Sequence, residues 1–586
     1  MKSEYSQDYL EKLRHSTAHL LAAAVLKLYP KAKPTIGPPI ENGFYYDFDF
    51  GKTSISESDL QKIEEEMRNI VKKWNGFERI EITRESALKH FANNEYKKEL
   101  IEEISVNNEQ ISLYKSGEFI DLCRGGHIEN PKEEIRFFKL LSIAGAYWKG
   151  DAKRQMLTRI YGTVFPSENE LQQHLKMLEE AKKRDHRKLA KDLDLIVFSD
   201  LVGPGLPLYT PKGALLRSLI YNYSRELNHK IGYTETSLPG INRGELFKVS
   251  GHYEKYKEDM FNVRSNYSND EFFLKPMNCP QHCVIYQSRP RSYRDLPIRL
   301  SDFSVLYRDE KPGEINGLFR TRAFTQDDGH AFISNSQIAE EFANVFGVVK
   351  EALETYGFKY WIRLSLHDPS DNKKYLGDEK VWKLAEDELR KMVQNLNIEV
   401  KEGIGEAAIY GPKLDFMAKD AIGREWQIST IQLDMIMPER FGLLYTDSDG
   451  TQKTPLMVHR AIVGSERFIA IIIEHFAGAF PVWLSPVQAK VLPITEKNID
   501  YGREVLDKLI TSGIRTEIDE RPQTLNAKIR DAQNEKVPYM IILGDKEQKG
   551  KVLSLRIRNG EIRNNVKIED FIKTVNQKIE NKSIEL

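Results

Sequence analysis

Residues 297–330 read PIRLSDFSVLYRDEKPGEINGLFRTRAFTQDDGH, and they predict two strands joined by a polar loop. Polar residues alternate with apolar ones, which favours a mostly antiparallel sheet with one working face. Arg308 and Arg320 lie at the strand ends, where their guanidinium groups could bind a polyphosphate through bidentate contacts. The alternative is that both arginines form surface salt bridges. The chain has no P-loop and no GxGxxG turn before a helix, so a bound nucleotide would not use either motif.

Working outward from this hairpin, the segments 413–420 and 424–435 predict further strands of the same sheet, and the apolar stretch 468–483 predicts a buried helix. Arg467 opens that helix in the sequence VHRAIVGSERF (458–468), close to Gly464. A phosphate at the N-terminus of the helix would be favourable. The other interpretation is a salt bridge between Arg467 and a nearby carboxylate at the helix entry.

One cysteine-rich segment, KPMNCPQHC (275–283), is a candidate metal site. Cys279 could be a zinc thiolate with His282 or Cys283 as a local partner, and three ligands with a fourth position open are typical of catalytic zinc. It could equally be a buried cysteine in a loop. The spacing does not identify the remaining ligands.

A second set of such residues lies in the N-terminal region. His15 and His19 are four residues apart and share a helix face, and Cys123 and His127 repeat that spacing beside a glycine-rich turn. A packed or solvated pair would explain the two N-terminal histidines alone. All four residues in one small domain predict a hydrolytic or metal site, whereas no HExxH sequence supports a zinc protease.

Composition limits the class of protein. A chain of 586 residues is long enough for about three or four domains. The net charge of −1 provides no global basic field, so nucleic acid would bind through local patches. Three cysteines suit a reducing compartment, the charged N-terminus is no secretory signal, and the longest apolar stretch is too short to span a bilayer. We therefore expect a cytoplasmic protein without a membrane partner.

We predict an α+β multidomain protein with four segments. A small α+β domain covers 1–166, a single long connector helix covers 167–195, a core built on an antiparallel sheet covers 196–485, and an α/β domain covers 486–586.

The chain resembles the threonyl-tRNA synthetase family from His15 to about Lys578. The motifs HSTAH, IGPPIENGFYYD, DLCRGGH, KRDHRKL, MNCP, YRDE, FTQDDGH, YGPKLDF and HRAIVG occur in the family's order. The resemblance implies an N-terminal editing domain, a class II catalytic core and a C-terminal anticodon-binding domain. It also implies a homodimeric threonine–tRNA ligase that activates L-threonine with ATP and Mg²⁺, transfers it to tRNA(Thr) and hydrolyses seryl-tRNA(Thr).

The resemblance further implies a role for individual residues at the nucleotide site. Arg308 would contact the α-phosphate of ATP, Glu310 would lie near the adenine, and Arg320 would hold the phosphates across the hairpin. Arg467 would bind the γ-phosphate, and Lys413 would lie beside the reacting centre.

The remaining implied roles concern selection of the amino acid. One zinc ion per subunit would be held by Cys279, His330 and His459, and its open position would take the amino group and hydroxyl of threonine. The pocket would be lined by Gln326, Asp328, Tyr410, Gln427 and Gln432. Zinc would reject valine, but serine lacks only a methyl group, worth roughly 1–3 kcal/mol, so a second hydrolytic site is needed. By resemblance that site comprises His15, His19, Tyr46, Asp121, Cys123 and His127.

Three features depart from the family pattern. The chain begins almost at the editing domain, where many members carry a small extra domain first. The family usually has one more residue between His459 and Arg467, so either a local bulge absorbs the difference or one side chain is misplaced, and Ser465 has no assigned role. Gly126 replaces a common proline, from which we expect little. The shorter segment keeps open a trans-editing aminoacyl-tRNA hydrolase with an impaired activation site.

Overall fold

The structure is a computed structural model that describes residues 5–107, 109–151, 153–371, 373–420 and 423–586. The chain divides into two compact units, Met1–Glu179 and Glu180–Leu586. Among the described residues, no helix has both the length and the apolar character needed to cross a bilayer.

The first unit combines helices with two antiparallel sheets. Its helices are α1 (Gln7–Leu28), α2 (Leu60–Val71), α3 (Arg84–His90), α4 (Glu95–Val106), α5 (Pro131–Glu134) and α6 (Glu168–Arg184), of which α6 continues past the boundary of the unit. Its strands are β1 (Lys33–Pro34), β2 (Pro39–Ile40), β3 (Gly43–Asp49), β4 (Glu78–Glu81), β5 (Ser112–Ser116), β6 (Phe119–Leu122), β7 (Phe137–Tyr147) and β8 (Met156–Phe165). One sheet has the order β1-β3-β8-β7, with β2 also paired to β3, and the other has the order β4-β5-β6.

The core of this unit lies between α1 and the larger sheet. Ser6 caps α1 by accepting a hydrogen bond from the Tyr9 amide, and an apolar run follows along the helix. Alternate residues of β3, Phe44, Tyr46 and Phe48, are buried with the α1 residues in one cluster, as the two-residue repeat of a strand requires. Helix α1 and strand β3 thereby bring His15, His19 and Tyr46 into the same region.

The second unit contains thirteen helices of at least four residues among the residues described. They are α7 (His186–Asp192), α8 (Pro211–Lys230), α9 (Gly244–Ser250), α10 (His252–Tyr256), α11 (Cys279–Gln287), α12 (Ile338–Thr355), α13 (Glu379–Asn395), α14 (Met437–Arg440), α15 (Glu466–His475), α16 (Ile499–Thr511), α17 (Leu525–Asn534), α18 (Asp545–Gly550) and α19 (Ile568–Glu580).

The second unit has twenty-two strands among the described residues, and we give them in chain order. They are β9 (Ile196–Val197), β10 (Leu208–Tyr209), β11 (Thr234–Glu235), β12 (Ile241–Arg243), β13 (Asn262–Val263), β14 (Phe272–Leu274), β15 (Ile298–Asp302), β16 (Val305–Tyr307), β17 (Ala323–Thr325), β18 (Asp328–Ile333) and β19 (Tyr360–Leu366). They continue with β20 (Val400–Ile404), β21 (Lys413–Lys419), β22 (Glu425–Asp434), β23 (Tyr445–Thr446), β24 (Gln452–Lys453), β25 (Leu456–Ala461), β26 (Ala489–Pro493), β27 (Thr516–Ile518), β28 (Tyr539–Leu543), β29 (Val552–Ile557) and β30 (Ile562–Lys567).

An eight-stranded sheet organises the larger part of this unit, with the order β11-β15-β18-β25-β22-β21-β19-β20. Six strands in its middle run antiparallel, and only the two edge strands pair in parallel. Helix α15 packs its apolar residues into the core beneath the sheet. The predicted hairpin is present as β16 paired with β17. A second sheet, β27-β26-β28-β29-β30, forms the C-terminal α/β domain with α16, α17 and α19, which confirms the predicted fold class.

Two predicted helices end earlier in the structure than the sequence indicated. The prediction of a single connector helix over 167–195 is wrong, because α6 and α7 are separate helices divided at Asp185. Asp185 has a non-helical backbone and its side chain accepts a hydrogen bond from the Arg187 amide, so it caps α7 and cannot continue α6. The buried helix predicted over 468–483 ends at His475.

Candidate active site and histidine–cysteine cluster

Two rows of side chains cross one face of the eight-stranded sheet. The first row pairs residues of β18, β25, β22, β21 and β19 in register, namely His330, His459, Gln432, Lys413 and Ser365. Residues directly opposite each other in antiparallel strands share a face. A second row lies two residues along the same strands and therefore on the same face: Asp328, Ala461, Thr430, Asp415 and Arg363. The sheet register thus places a run of polar side chains together.

A metal-ligand cluster lies at one end of the first row. The candidate ligand atoms of Cys279, His330 and His459 all lie within 4.8 Å of one another, and all three residues are buried. Cys279 is the first residue of α11, and burial raises the pKa of its thiol well above the usual range, so a thiolate there would need the positive charge of a metal ion. The cluster contains neither His282 nor Cys283, the partners for Cys279 that the sequence left open.

The neighbours of the two histidine ligands leave one nitrogen of each ring available. His330 Nδ1 lies 2.6 Å from His282 Nδ1, and His459 Nε2 lies 2.9 Å from Asp434 Oδ2. Metal-binding histidines usually have such a partner on the nitrogen that does not bind the metal. Three buried nitrogen and sulfur donors with these partners fit a zinc ion that keeps an open coordination position.

A cavity of about 280 Å³ adjoins the polar rows. Most of the residues expected at the nucleotide and amino-acid sites line it: Arg308, Glu310, Arg320, Gln326, Gln427, Gln432 and Arg467. The other three expected residues, Tyr410, Asp328 and Lys413, each lie close to another residue of the two polar rows. The ring of Tyr410 stacks on His459 with centroids 4.6 Å apart, Asp328 Oδ1 is 3.7 Å from His330 Nε2, and Lys413 Nζ is 2.8 Å from Asp415 Oδ2.

The arginines of the cavity have different partners. Arg467 donates from Nε to the Phe319 carbonyl at 3.2 Å, and its contacts among the described residues include no carboxylate within ion-pair distance. Burial lowers the pKa of Arg467, and the positive charges of Arg308 and Arg320 lower it further. Arg320 instead pairs with Glu310 at 2.7 Å and with Glu314. The salt-bridge interpretation therefore describes Arg320 and not Arg467.

The segment between His459 and Arg467 contains no bulge. Strand β25 keeps its register with both neighbours as far as Ala461, and α15 begins at Glu466. The intervening turn includes Gly464 at φ +101°, and Ser465 caps the helix by accepting from the Phe468 amide. His459 lies in the metal-ligand cluster and Arg467 lines the cavity, so neither side chain is displaced from the site.

Sequence reasoning missed three residues of this site. The ring of Phe324 lines the cavity, with the Arg308 guanidinium 5.0 Å from its centroid. Asp415 is fully buried and accepts hydrogen bonds from Gln427 Nε2 at 2.7 Å and from other polar groups. Asp434 holds the histidine of β25. Both aspartates interrupt apolar strands, which is the signal that could have identified them.

The four residues predicted in the N-terminal unit come together as a second cluster. Their candidate ligand atoms all lie within 4.8 Å of one another. Cys123 Sγ lies 3.3 Å from His127 Nε2 and 3.5 Å from His15 Nε2, and His19 Nε2 lies 3.2 Å from His15 Nε2. His15 and His19 lie within α1, and Cys123 and His127 lie in the loop after β6. The fold therefore brings two distant segments of the chain together here.

Burial controls protonation in this cluster. It lowers the pKa of His15 and, more strongly, that of His19, and it lowers the pKa of His127 to about 2. It also raises the pKa of the Cys123 thiol to about 11. The three imidazoles are therefore neutral near pH 7 and can accept protons, whereas the thiol stays protonated.

A buried polar triad borders the histidine–cysteine cluster. Tyr46 donates its hydroxyl hydrogen to Asp121 Oδ2 at 2.5 Å, and Lys97 Nζ lies 2.5 Å from Asp121 Oδ1. His19 Nδ1 is 3.8 Å from the same carboxylate. Tyr46 and Asp121 thus lie where the resemblance expected them, and Lys97 is an addition that the sequence did not indicate.

Gly126 has more effect on the loop than we expected. Its φ of +83° lies outside the range that a proline ring can adopt. Its carbonyl oxygen lies 3.3 Å from His15 Nδ1. The backbone at this position therefore follows a path that a proline could not take.

Comparisons with known proteins agree with this architecture. The family model of the threonyl and alanyl tRNA synthetase second additional domain matches residues 111–161. The class II core domain of tRNA synthetases (G, H, P, S and T) matches residues 261–476, and an anticodon binding domain matches residues 488–578.

Individual relatives cover almost the whole chain. A threonine–tRNA ligase from Rubrobacter xylanophilus is 47% identical over 95% of this chain and 86% of its own length. One from Clostridium tetani is 46% identical over 98% of this chain and 89% of its own length.

Two solved structures are also similar. A crystal structure of the RNA binding domain of threonyl-tRNA synthetase from Cryptosporidium parvum has a TM-score of 0.64 and 39% identity, covering 67% of this chain and 98% of its own. A threonyl-tRNA synthetase structure from Aeropyrum pernix has a TM-score of 0.60 and 29% identity over 68% of this chain and 96% of its own. The chain therefore belongs to the threonyl-tRNA synthetase family.

Proposed function

We propose that the chain is a threonine–tRNA ligase that activates L-threonine with ATP and transfers it to tRNA(Thr), acting as a homodimer. One observation carries this proposal: a buried cluster of one cysteine and two histidines adjoins a cavity lined by Arg308 and Arg467. Two fixed guanidinium groups in one cavity suit the phosphates of a nucleotide. The close relatives that match this chain over nearly its full length are named for the same activity.

Activation and transfer would each be one displacement. The threonine carboxylate attacks the α-phosphorus of ATP in line and pyrophosphate leaves. The terminal ribose hydroxyl of the tRNA then attacks the carbonyl carbon of the adenylate and AMP leaves. Arg308 and Arg467 stabilise negative charge on the phosphates, together with Mg²⁺ bound to ATP. Arg320 would have to exchange Glu310 for a phosphate, which a half-exposed side chain can do.

Selection of threonine would depend on zinc and on the polar rows. Cys279, His330 and His459 would hold the ion, which supplies a Lewis-acidic position for the hydroxyl and amino group of the substrate. Three of the other pocket residues lie on strands of the sheet, Asp328, Gln427 and Gln432, and two lie outside its strands, Gln326 and Tyr410. Asp415 holds Gln427 and Lys413 in place through short hydrogen bonds. A pocket that engages a hydroxyl rejects valine far better than shape alone would.

The N-terminal unit would remove serine from wrongly charged tRNA. Burial holds the imidazoles of His15, His19 and His127 neutral, and His15, whose pKa is lowered less than those of the other two, would take a proton from the attacking water. The Tyr46–Asp121 pair lies beside them and would fix the orientation of His19 or of the substrate. Hydrolysis here complements a synthetic site that separates serine from threonine by one methyl group.

The second candidate is a trans-editing hydrolase whose activation site is impaired by the short segment before α15. The positions of His459 and Arg467 argue against it, since one joins the metal-ligand cluster and the other lines the cavity. The two candidates differ in a single measurable property, which is amino-acid-dependent turnover of ATP.

Exchange of labelled pyrophosphate into ATP tests the proposal directly. With purified protein, we expect exchange that depends on threonine, a weaker signal with serine, and none with valine or proline. Folded, metal-loaded protein that exchanges with none of these amino acids would refute the ligase and favour the hydrolase.

Zinc content tests the metal assignment with a matched pair of cysteines. Cys279→Ala should lose the bound zinc and the threonine-dependent exchange. Cys283→Ala removes an equally buried thiol from the same helix, outside the cluster, and should keep both. Full zinc retention in the first variant would rule out this ligand set.

A further inference from the structure

The start of α7 contacts the loop that leads to the cavity. His186 is 2% exposed, and its Nδ1 lies 2.8 Å from Glu474 Oε1 on α15. Its Nε2 accepts a hydrogen bond from the Leu318 amide at 3.0 Å. Because Nε2 is an acceptor here, the ring proton is on Nδ1 and is donated to the carboxylate. Both nitrogens of this buried ring are therefore used.

The loop is shaped to fit His186. A Cβ atom at Gly317 would lie only 2.3 Å from His186 Nε2, so only glycine allows the backbone to approach this closely. The ring of Phe319 meets the imidazole edge-on with centroids 4.6 Å apart. The carbonyl of Phe319 in turn accepts the hydrogen bond from Arg467 Nε at 3.2 Å. Two residues of this loop therefore connect the imidazole to a guanidinium of the cavity.

Glu474 holds the loop by a second route as well. Its Oε2 lies 2.8 Å from an Arg424 nitrogen, and the Arg424 guanidinium lies 5.0 Å from the Phe319 ring centroid. Phe319 also stacks on Trp426 at 4.1 Å with nearly parallel planes. The side chain of Phe319 is thus fixed by stacking, whereas the backbone of the loop is held by His186.

We propose that His186 is a positioning residue for amino-acid activation: it fixes the Leu318–Phe319 backbone and, through the Phe319 carbonyl, the side chain of Arg467. This inference rests on the proposed function, in which Arg467 binds a phosphate of ATP. Losing the hydrogen bond to the Leu318 amide lets the loop and Arg467 move, and small displacements at a binding group cost catalytic efficiency. The effect falls on ATP and not on threonine, because the metal-ligand cluster has no part in this contact chain.

Two substitutions separate the two nitrogens of the ring. His186→Gln places an amide oxygen near the position of Nε2 and can still accept from Leu318. His186→Asn places an amide nitrogen near the position of Nδ1, so it keeps the donor to Glu474 and loses the acceptor. We expect the asparagine variant to raise the KM for ATP about tenfold in threonine-dependent exchange, with the KM for threonine unchanged. The glutamine variant should stay within about threefold of the wild type.

The control is Lys188→Ala, which changes an exposed side chain on the same helix, two residues after His186. It should leave both KM values unchanged. Equal losses in the asparagine and glutamine variants, or equal rises in both KM values with a lower melting temperature, would mean that His186 only stabilises the fold and would overturn the inference.

Calorimetric titration of the full-length variants with ATP separates this inference from the proposed function. If the wild type exchanges with no amino acid, the ligase proposal fails, but the ratio of ATP dissociation constants still decides the role of His186. An ATP affinity that is weaker in the asparagine variant than in the glutamine variant supports the inference. Identical affinities overturn it.

Discussion

Replacing Lys97 with methionine should loosen the histidine–cysteine cluster without altering any of its four members. Lys97 and Asp121 are both 2% exposed, and the ammonium lies 2.5 Å from Asp121 Oδ1. The Lys97 ammonium also donates to the Tyr46 hydroxyl at 3.2 Å. Methionine keeps much of the apolar stem and removes the charge. The carboxylate of Asp121 then remains buried with no cation to balance it.

The structure allows the size of this effect to be worked out. Removing one partner of a buried ion pair costs about 3–5 kcal/mol, most of it from the charge that is left behind. Since about 1.4 kcal/mol is a factor of ten, local opening around Asp121 should become roughly a hundredfold to a few thousandfold more frequent. The remaining hydrogen bonds to Asp121, from Tyr46 and from the Leu122 amide, place the result toward the lower end.

Amide hydrogen exchange on the full chain measures this opening. Peptides from β3 and β6 should lose protection by about two orders of magnitude in the Lys97→Met protein. Peptides from β26 and β28, in the other unit, serve as an internal reference in the same sample and should not change. Hydrolysis of seryl-tRNA(Thr) should fall in parallel, since Asp121 and Tyr46 lose their fixed geometry.

Two further variants test whether the Lys97–Asp121 pair holds this site. Lys98→Met removes the neighbouring charge on α4 and should leave the protection of β6 unchanged. The double variant Lys97→Met with Asp121→Asn removes both charges and should recover much of the lost protection. Protection of β6 within about threefold of the wild type in the single variant, or strictly additive effects in the double variant, would show that the pair does not hold this site.

Three other predictions concern the second unit. Burial raises the pKa of Glu466 from 4.5 to about 7, so the free energy of unfolding falls as pH rises from about 4.5 to 7. Glu466→Gln lacks this titration, so its free energy of unfolding should rise by about 3 kcal/mol relative to that of the wild type across the same window. Urea unfolding at several pH values measures the difference. A pH-independent difference would contradict this. Asp434→Asn should weaken zinc binding about 10–100-fold in a chelator competition, since it alters the partner of His459. Phe324→Leu should raise the KM for ATP about fivefold, because it removes the aromatic ring on which the Arg308 guanidinium lies. An unchanged KM would show that this ring does not position Arg308 for ATP.

Local patterns predicted the fold well. The alternation in the strand segments separates apolar from polar side chains, although both faces of β21 are buried, and β21 and β22 form where the sequence indicated them. The alternation of strand and helix from residue 489 to about residue 545 is likewise visible in the sequence, whereas the two strands and the helix that end the chain were not predicted individually. These features depend on neighbouring residues only, which is why they could be read without a structure.

The partners within the sites could not be predicted in the same way. Asp415 is opposite Thr430 and Asp434 reaches the histidine of β25 only because three strands align in one register, and register is a property of pairs of distant segments. The irregular pairing of β21 with β22 near Met417 also brings Gln427 within reach of Asp415. The family motifs suggested the site residues, but they did not indicate the hydrogen-bond partners that hold those side chains in place.

The segment between His459 and Arg467 is confined at both of its ends. His459 cannot slip by one residue, because β25 is paired on both sides and a slip would turn the side chain to the opposite face. Arg467 cannot shift either, because each added or lost helical residue rotates the side chain by about 100°. Only the turn between them could vary in length, and there Gly464 adopts a φ of +101° with an ideal Cβ position 3.0 Å from the Tyr221 ring. A glycine at this position, followed by Ser465 as the helix cap, lets this connection place His459 in the metal-ligand cluster and Arg467 at the cavity.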